Sequence, residues 1–227
     1  MKQAVILNGA PGAGKGTQAE LLERNHDFIH FDPGRHIENI VHSPEARKSA
    51  LLRKERANFD AGRLCTPSWV LSIASKALSD VGNAGYNVVT SGSPRTLYEA
   101  FGPEGKNDGL IKTLIDQYGK NNIKIILLDV KAEDSIHRNS NRRLCSVCGL
   151  PVLAGAKVDS CAFCAGPLRT RTLDKPEIIK TRLEEYKERT FPILEGLKKQ
   201  KLKIFKIDGT RPPYEVGAKI EKILGLK

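Results

Sequence analysis

Four short apolar runs punctuate the chain: Lys2–Leu7, Asn87–Thr90, Ile123–Val130 and Leu202–Ile207. The third (Ile-Lys-Ile-Ile-Leu-Leu-Asp-Val) is nearly continuous, the pattern of a strand covered on both faces. Helical spacing fills much of the intervening sequence, notably at Thr17–Glu23, Trp69–Val81, Gly109–Gly119 and Pro176–Lys199. Strand and helix in alternation predict an α/β protein with a parallel sheet flanked by helices. Two stretches break the rhythm. Residues 32–64 are charged and read as helical, whereas residues 139–173 hold Gly and Pro with little periodicity. Both read as insertions into a core made of residues 1–31, 65–138 and 174–227. Gly102–Gly109 reads as an exposed loop.

Charge adds a second layer. The 227 residues carry 37 Lys and Arg against 26 Asp and Glu, a formal net charge of +11. Residues 138–182 hold nine basic and three acidic side chains, and residues 198–227 hold nine and three again, leaving 19 against 20 elsewhere. The basicity is therefore two local features on a near-neutral body, and local positive clusters attract phosphates of any kind. The second cluster reads as a solvated basic end. No apolar run approaches the ~18–20 residues of a membrane span, and the N-terminal strand meets Asn8-Gly9 too early for a signal peptide. The expectation is a cytoplasmic, monomeric protein.

Gly9-Ala-Pro-Gly12-Ala13-Gly14-Lys15-Gly16-Thr17 follows a predicted strand and opens a predicted helix. Glycines there let backbone N–H groups turn inward onto phosphate oxygens, and the helix N-terminus adds its positive dipole end. Lys15 would bring a point charge to the β- and γ-phosphates, and Thr17 a hydroxyl to the accompanying Mg2+. Cys145-x2-Cys148-x12-Cys161-x2-Cys164 is a pair of knuckles spaced for one tetrahedral four-thiolate metal site, most simply a structural Zn2+. A redox pair would not come doubled. Cys65 stands apart and reads as a packing residue.

The loop variant Gly-x-Pro-Gly-x-Gly-Lys-Gly-Thr-Gln resembles the adenylate kinase family of nucleoside monophosphate kinases. Four further segments resemble it in the same order: Ser91-Gly92-Ser93-Pro94-Arg95-Thr96; Arg138…Arg142-Arg143 before the cysteines; Arg171-x-x-Asp174…Arg182-Leu183-x-x-Tyr186; and Lys206-Ile207-Asp208-Gly209-Thr210. The resemblance implies a P-loop core, a monophosphate-binding insertion at residues 32–64 and a zinc-stapled lid at residues 139–173 that hinges as a unit. It implies transfer from Mg-ATP to a nucleoside monophosphate. Gly12–Thr17, Arg138, Arg142 and Lys206 would hold the donor. Gly34, Gly92, Arg95, Glu99, Arg171 and Arg182 would hold the acceptor, and Lys15, Arg95, Arg138, Arg171 and Arg182 would serve the transfer itself. Arg143 and Arg169 are left as surface residues.

The chain departs from the family pattern on the acceptor side. Pro33 stands for a hydroxyl residue, Arg35 for an acid, Glu38 for a phosphate-binding arginine, Ser91 for an aspartate near the metal, Glu99 for the base-reading glutamine and Leu173 for a lid acid. A carboxylate at position 99 only accepts hydrogen bonds, which suits the two donors of guanine; AMP by family and GMP by this substitution are the candidate acceptors. A nucleotide-binding relative with weak or lost kinase activity is the alternative. A nucleic-acid binder is disfavoured, because aromatics are 6 % of the chain and only Phe163 lies among the cysteines, too few for base stacking.

Overall fold

The computed structural model describes residues 2–104, 106–152 and 155–226. Its main sheet has five parallel strands: β1 (Ala4–Asn8), β2 (Phe28–Phe31), β3 (Asn87–Thr90), β4 (Ile123–Asp129) and, after a two-stranded ribbon of β5 (Leu144–Cys145) and β6 (Leu168–Arg169), β7 (Ile204–Asp208). The order across the sheet is β2-β3-β1-β4-β7. The α-helices are α1 (Lys15–His26), α2 (Pro33–Val41), α3 (Ala50–Asp60), α4 (Pro67–Asn83), α5 (Leu97–Phe101), α6 (Leu110–Tyr118), α7 (Ala132–Ser140), α8 (Pro176–Glu185), α9 (Ile193–Lys199) and α10 (Pro213–Leu224). This is the parallel α/β architecture that the pattern predicts and the P-loop core that the resemblance implies.

β1 and β4 sit at the centre because both faces of each are apolar. Ala4 and Ile6 pack with Val88, Ile125, Leu78 and Leu114 on one side, while Val5 and Leu7 pack with Val89, Ile126, Leu22 and Ile220 on the other. Each Leu or Ile so buried contributes about 1.5–3 kcal/mol relative to exposure. β1 leads to β2 on one side of itself, whereas β3 leads past it to β4 on the other. That reversal opens a crevice at the carboxyl ends of β1 and β3, where open α/β sheets take their ligands.

Several elements differ from the sequence expectation. β2 is four residues long and carries His30 on one edge of the sheet, too short and mixed to announce itself. The single helix expected over Pro176–Lys199 is three pieces: α8, a wide π-type turn at Tyr186–Thr190, and α9 after Pro192. Proline lacks the N–H a continuous helix requires. The basic end is solvated, as expected, and it is also folded. β7 pairs with β4, and α10 buries Val216, Ile220 and Leu224 against α1, so its lysines are the outer face of an amphipathic helix. Residues 33–60 form α2, a short 3-10 turn and α3 outside the sheet. Fully buried Glu55 ties α3 to the start of α4, its carboxylate accepting from the backbone N–H (2.8 Å) and hydroxyl of Thr66.

Candidate active site

The loop after β1 is shaped by glycines that no other residue could replace cheaply. A Cβ on Gly9, at φ 148°, would lie 2.5 Å from the Leu128 carbonyl oxygen. Gly14 caps α1 at φ 93° and contributes no side-chain cap. The first turn of α1 therefore presents free N–H groups and no acidic side chain, the condition for anion binding at a helix N-terminus. Lys15 folds back, its Nζ donating to the carbonyls of Gly9 (2.6 Å) and Ala10 (2.9 Å). Burial, then the charges of Arg95, Arg182 and Arg142, pull its pKa from 10.5 down to about 7. An arriving phosphate reverses that balance. Thr17 lies on the same first turn, and Asp32 and Ser91 close β2 and β3; these are hard oxygen donors of the kind Mg2+ selects.

Four arginines distant in sequence converge opposite this loop. Asp174, only 5 % exposed, anchors two of them. It accepts from Arg142 through both oxygens, with Nε at 2.8 Å, and its Oδ1 lies 3.6 Å from Arg182. Arg182 is driven down to about 9 by burial and by Arg95, Arg142 and Arg171 beside it. Arg171 is lowered by burial and by Arg142, with Glu38 and Asp174 opposing. Guanidinium remains protonated in such company, so the cluster is a concentration of positive charge with too few counter-ions. Arg95 is steered by its Nε donating to the Gly92 carbonyl at 2.6 Å, and its guanidinium lies over both Gly92 and Gly34, which leave room for it.

Two adjoining clefts run through this cluster. One, of about 550 Å3, is lined by Asn8, Lys15, Gly92, Arg95, Arg182 and Tyr186. The other, of about 370 Å3, is mainly apolar, with Ile37, Phe59, Cys65 and Val70 on its walls and Glu99 and Arg95 at its end. Cys65 thus packs, as expected, with its thiol pushed up to about 12 by burial. Glu99 is 2 % exposed and belongs to a variant of the capping box, its carboxylate reaching the N–H of Arg95 rather than that of the N-cap Thr96. Thr96 Oγ1 accepts from the Glu99 N–H, and the Glu99 carboxylate accepts from the Arg95 N–H (2.8 Å), the Ser93 hydroxyl (3.2 Å) and the Thr96 hydroxyl (3.3 Å). Burial raises its pKa, and these bonds oppose the rise. The Thr-x-x-Glu spacing signals this box in the sequence, although position 99 read there as a base contact.

Not every arginine expected at the phosphates arrives there. Arg138 instead donates to the carbonyls of Gly209 (2.7 Å) and Thr210 (3.0 Å) in the turn after β7. Nearby Lys206 pairs with Asp129 at 2.8 Å. Arg143, expected at the surface, is a strut: its guanidinium donates to the carbonyls of Val158 (2.8 Å) and Ala156 (2.7 Å) within the cysteine segment. Arg169 is exposed as expected. Asn8 was unmarked by any motif; it lies 5 % exposed on the larger cleft with its Oδ1 unpartnered.

The four cysteines meet at one point, their sulfurs all within 4.8 Å of one another. Cys145 and Cys164 are 3.4 Å apart and Cys148 and Cys161 3.7 Å, close to the ~3.8 Å edge of a tetrahedron with ~2.3 Å Zn–S bonds. The Cys145 sulfur accepts from the N–H groups of Cys148 (3.4 Å) and Val147 (3.3 Å), which hold its thiol down at about 6. The set is compatible with zinc and leaves no position for a reacting water.

A phosphate loop at the switch point of a parallel sheet, facing a buried arginine cluster, defines a P-loop phosphotransferase acting on nucleotides. The family model described as adenylate kinase matches residues 7–202. Adenylate kinases of Lachnospira eligens (34 % identical, covering 97 % of this chain and 99 % of that one), Methanocella arvoryzae (32 %, 95 % and 95 %) and Petrotoga mobilis (30 %, 97 % and 96 %) are similar over nearly their whole length. The chain belongs to the adenylate kinase family. No described helix is long and apolar enough to cross a membrane.

Proposed function

We propose that the protein transfers the γ-phosphoryl group of ATP reversibly to AMP. The observation that carries this reading is that Lys15, Arg95 and Arg182 line one cleft, with Arg142 and Arg171 beside Arg182. Phosphoryl transfer asks little covalent chemistry of a protein; it asks for alignment and charge neutralisation. The N–H groups of Gly12, Ala13, Gly14, Lys15, Gly16 and Thr17 hold the donor's phosphates, with Arg138 and Lys206 on the donor's side. Arg95 and Arg182, and Arg171 beside them, grip the acceptor's phosphate, and Arg142 neutralises the group in flight. Thr17, with Asp32 or Ser91, would hold Mg2+, which when bound draws charge from the β- and γ-phosphates. Residues 139–173, stapled by zinc, serve as a lid that shuts water out of the transfer. Five unbridged cysteines suit a reducing, cytoplasmic setting.

The acceptor's base enters the apolar cleft between Gly34, Gly92 and Glu99. An ionised carboxylate offers about four lone pairs, and three of Glu99 are already used. One remains, enough for the single exocyclic amino group of adenine and too few for the paired N1–H and N2–H2 of guanine. This accounting turns the choice between AMP and GMP toward AMP. With saturating Mg-ATP, kcat/KM for AMP is expected to exceed that for GMP by about ten- to hundredfold, the size of one unsatisfied buried donor. A steady-state panel of AMP, GMP, CMP and UMP checks it; equal or better use of GMP overturns the assignment. The alternative, a binding relative with little activity, draws on Glu38, which occupies an arginine meant for phosphate. A coupled assay for ADP formation separates the two.

A further inference from the structure

Glu38 has no structural duty on its own helix. The buried residues of α2 are Pro33, Ile37 and Val41, and its N-cap is Asp32, whose Oδ1 accepts from the N–H groups of Gly34 (3.0 Å) and Arg35 (3.2 Å). Arg35 and Glu38, three residues apart, share the other face. That face meets the cysteine segment twice. The Glu38 carboxylate lies 3.5 Å from Arg171, where the chain leaves the segment. Arg35 reaches the first knuckle, its guanidinium 3.7 Å from where a Cβ on Gly149 would stand. α2 thus pairs with the root of one module and comes close to its tip.

The two acids of the arginine cluster differ in how firmly they are held. Asp174 is buried and bidentate, a fixed part of the wall. Glu38 is 36 % exposed, pairs at longer range and can rotate into water at little cost. We infer that Glu38 is the exchangeable counter-ion of Arg171, competing with the acceptor's phosphate for that guanidinium and holding α2 against the cysteine segment until the phosphate arrives. The competition with phosphate rests on the kinase reading proposed above; the contact between α2 and the segment does not.

The test is Glu38→Gln, which keeps the shape and removes the charge at a half-buried helical position. The KM for AMP is expected to fall about two- to fivefold, the worth of a partly exposed ion pair, with the KM for ATP shifting less than twofold. Fluorophores placed through non-canonical residues at the exposed positions 45 and 157, leaving the thiols untouched, report the distance between the two modules in the ligand-free protein. That distance is expected to lengthen in Glu38→Gln, and to lengthen with salt in the parent but not in the variant. A KM for AMP that is unchanged or raised, or a distance that does not move, overturns the inference. If the parent turns over no nucleotide, the kinase reading fails, and the distance measurement alone then decides whether Glu38 holds the contact.

Discussion

Lys15→Ala is expected to lower kcat/KM by about 10²–10³-fold, the usual cost of removing one preorganised donor from a site of developing charge. The fold should survive, because Lys15 supports nothing but the carbonyls of Gly9 and Ala10. A second readout follows from its environment. In the free protein its pKa stands near 7, against 10.5 for an ordinary lysine, so at pH 8 most molecules carry it neutral. Binding the donor's phosphates restores the ammonium, and the protein takes up a proton. Calorimetry of ATP binding in buffers of different ionisation enthalpy measures that uptake, and Lys15→Ala should abolish it. The same shift acts on stability. Between pH 7 and 10.5 the unfolded chain binds the proton and the native chain does not, so this residue's contribution makes the ligand-free protein more stable as pH rises through that window. Proton uptake that persists in Lys15→Ala would remove the lysine from the phosphates.

Removing the metal should have an effect of comparable size confined to one module. The purified protein is expected to hold one Zn2+ per chain. Chelation, or Cys148→Ser, should strip hydrogen-exchange protection from residues 139–173 and leave β1 and β4 protected. Only modest contacts otherwise hold that segment: a ribbon of two residues against two, two isolated bridges and the Arg143 strut, while apart from Cys145, Cys161 and Leu173 none of its described hydrophobic side chains is buried. Metal binding, of order 10 kcal/mol for structural zinc, then stands in for a hydrophobic core. Activity should fall with it, since Arg142 and Arg171 flank the segment at its two ends. Full protection of the segment in metal-free protein would show that the cysteines are not its staple.

How much of this was legible beforehand depended on how local the signal was. Gly9–Thr17 is a contiguous run whose chemistry is complete in itself, and the doubled Cys-x-x-Cys is nearly so; the structure brings each together as its spacing implies. The central strands announced themselves because both of their faces are buried. β2 gave no such sign, being a short edge strand with one histidine and one exposed isoleucine. The break in the long helix turned on a proline whose effect depends on where the helix packs. Glu99 and Arg138 show the limit for single side chains. Each matched a motif position, yet Glu99 spends most of its acceptors on its own capping box, and Arg138 turns to the carbonyls after β7.

The sequence by itself determined the chemistry available: a phosphate loop, four cysteines at metal-binding spacing, a supply of arginines and a charged segment at residues 32–64. Periodicity also set the α/β class, because strand and helix patterns are local properties of the chain. Only the tertiary structure decided which arginines share a cleft, that Asp174 anchors two of them, and that Glu38 faces Arg171. Those partners lie 32, 8 and 133 residues apart, and side-chain pairing at such separations is fixed by packing, which no local pattern encodes. The +11 charge shows the same division. One cluster flanks a phosphate cleft, and the other is spread over the exposed sides of α9, β7, α10 and the turns between them, a difference made by where the sheet placed them.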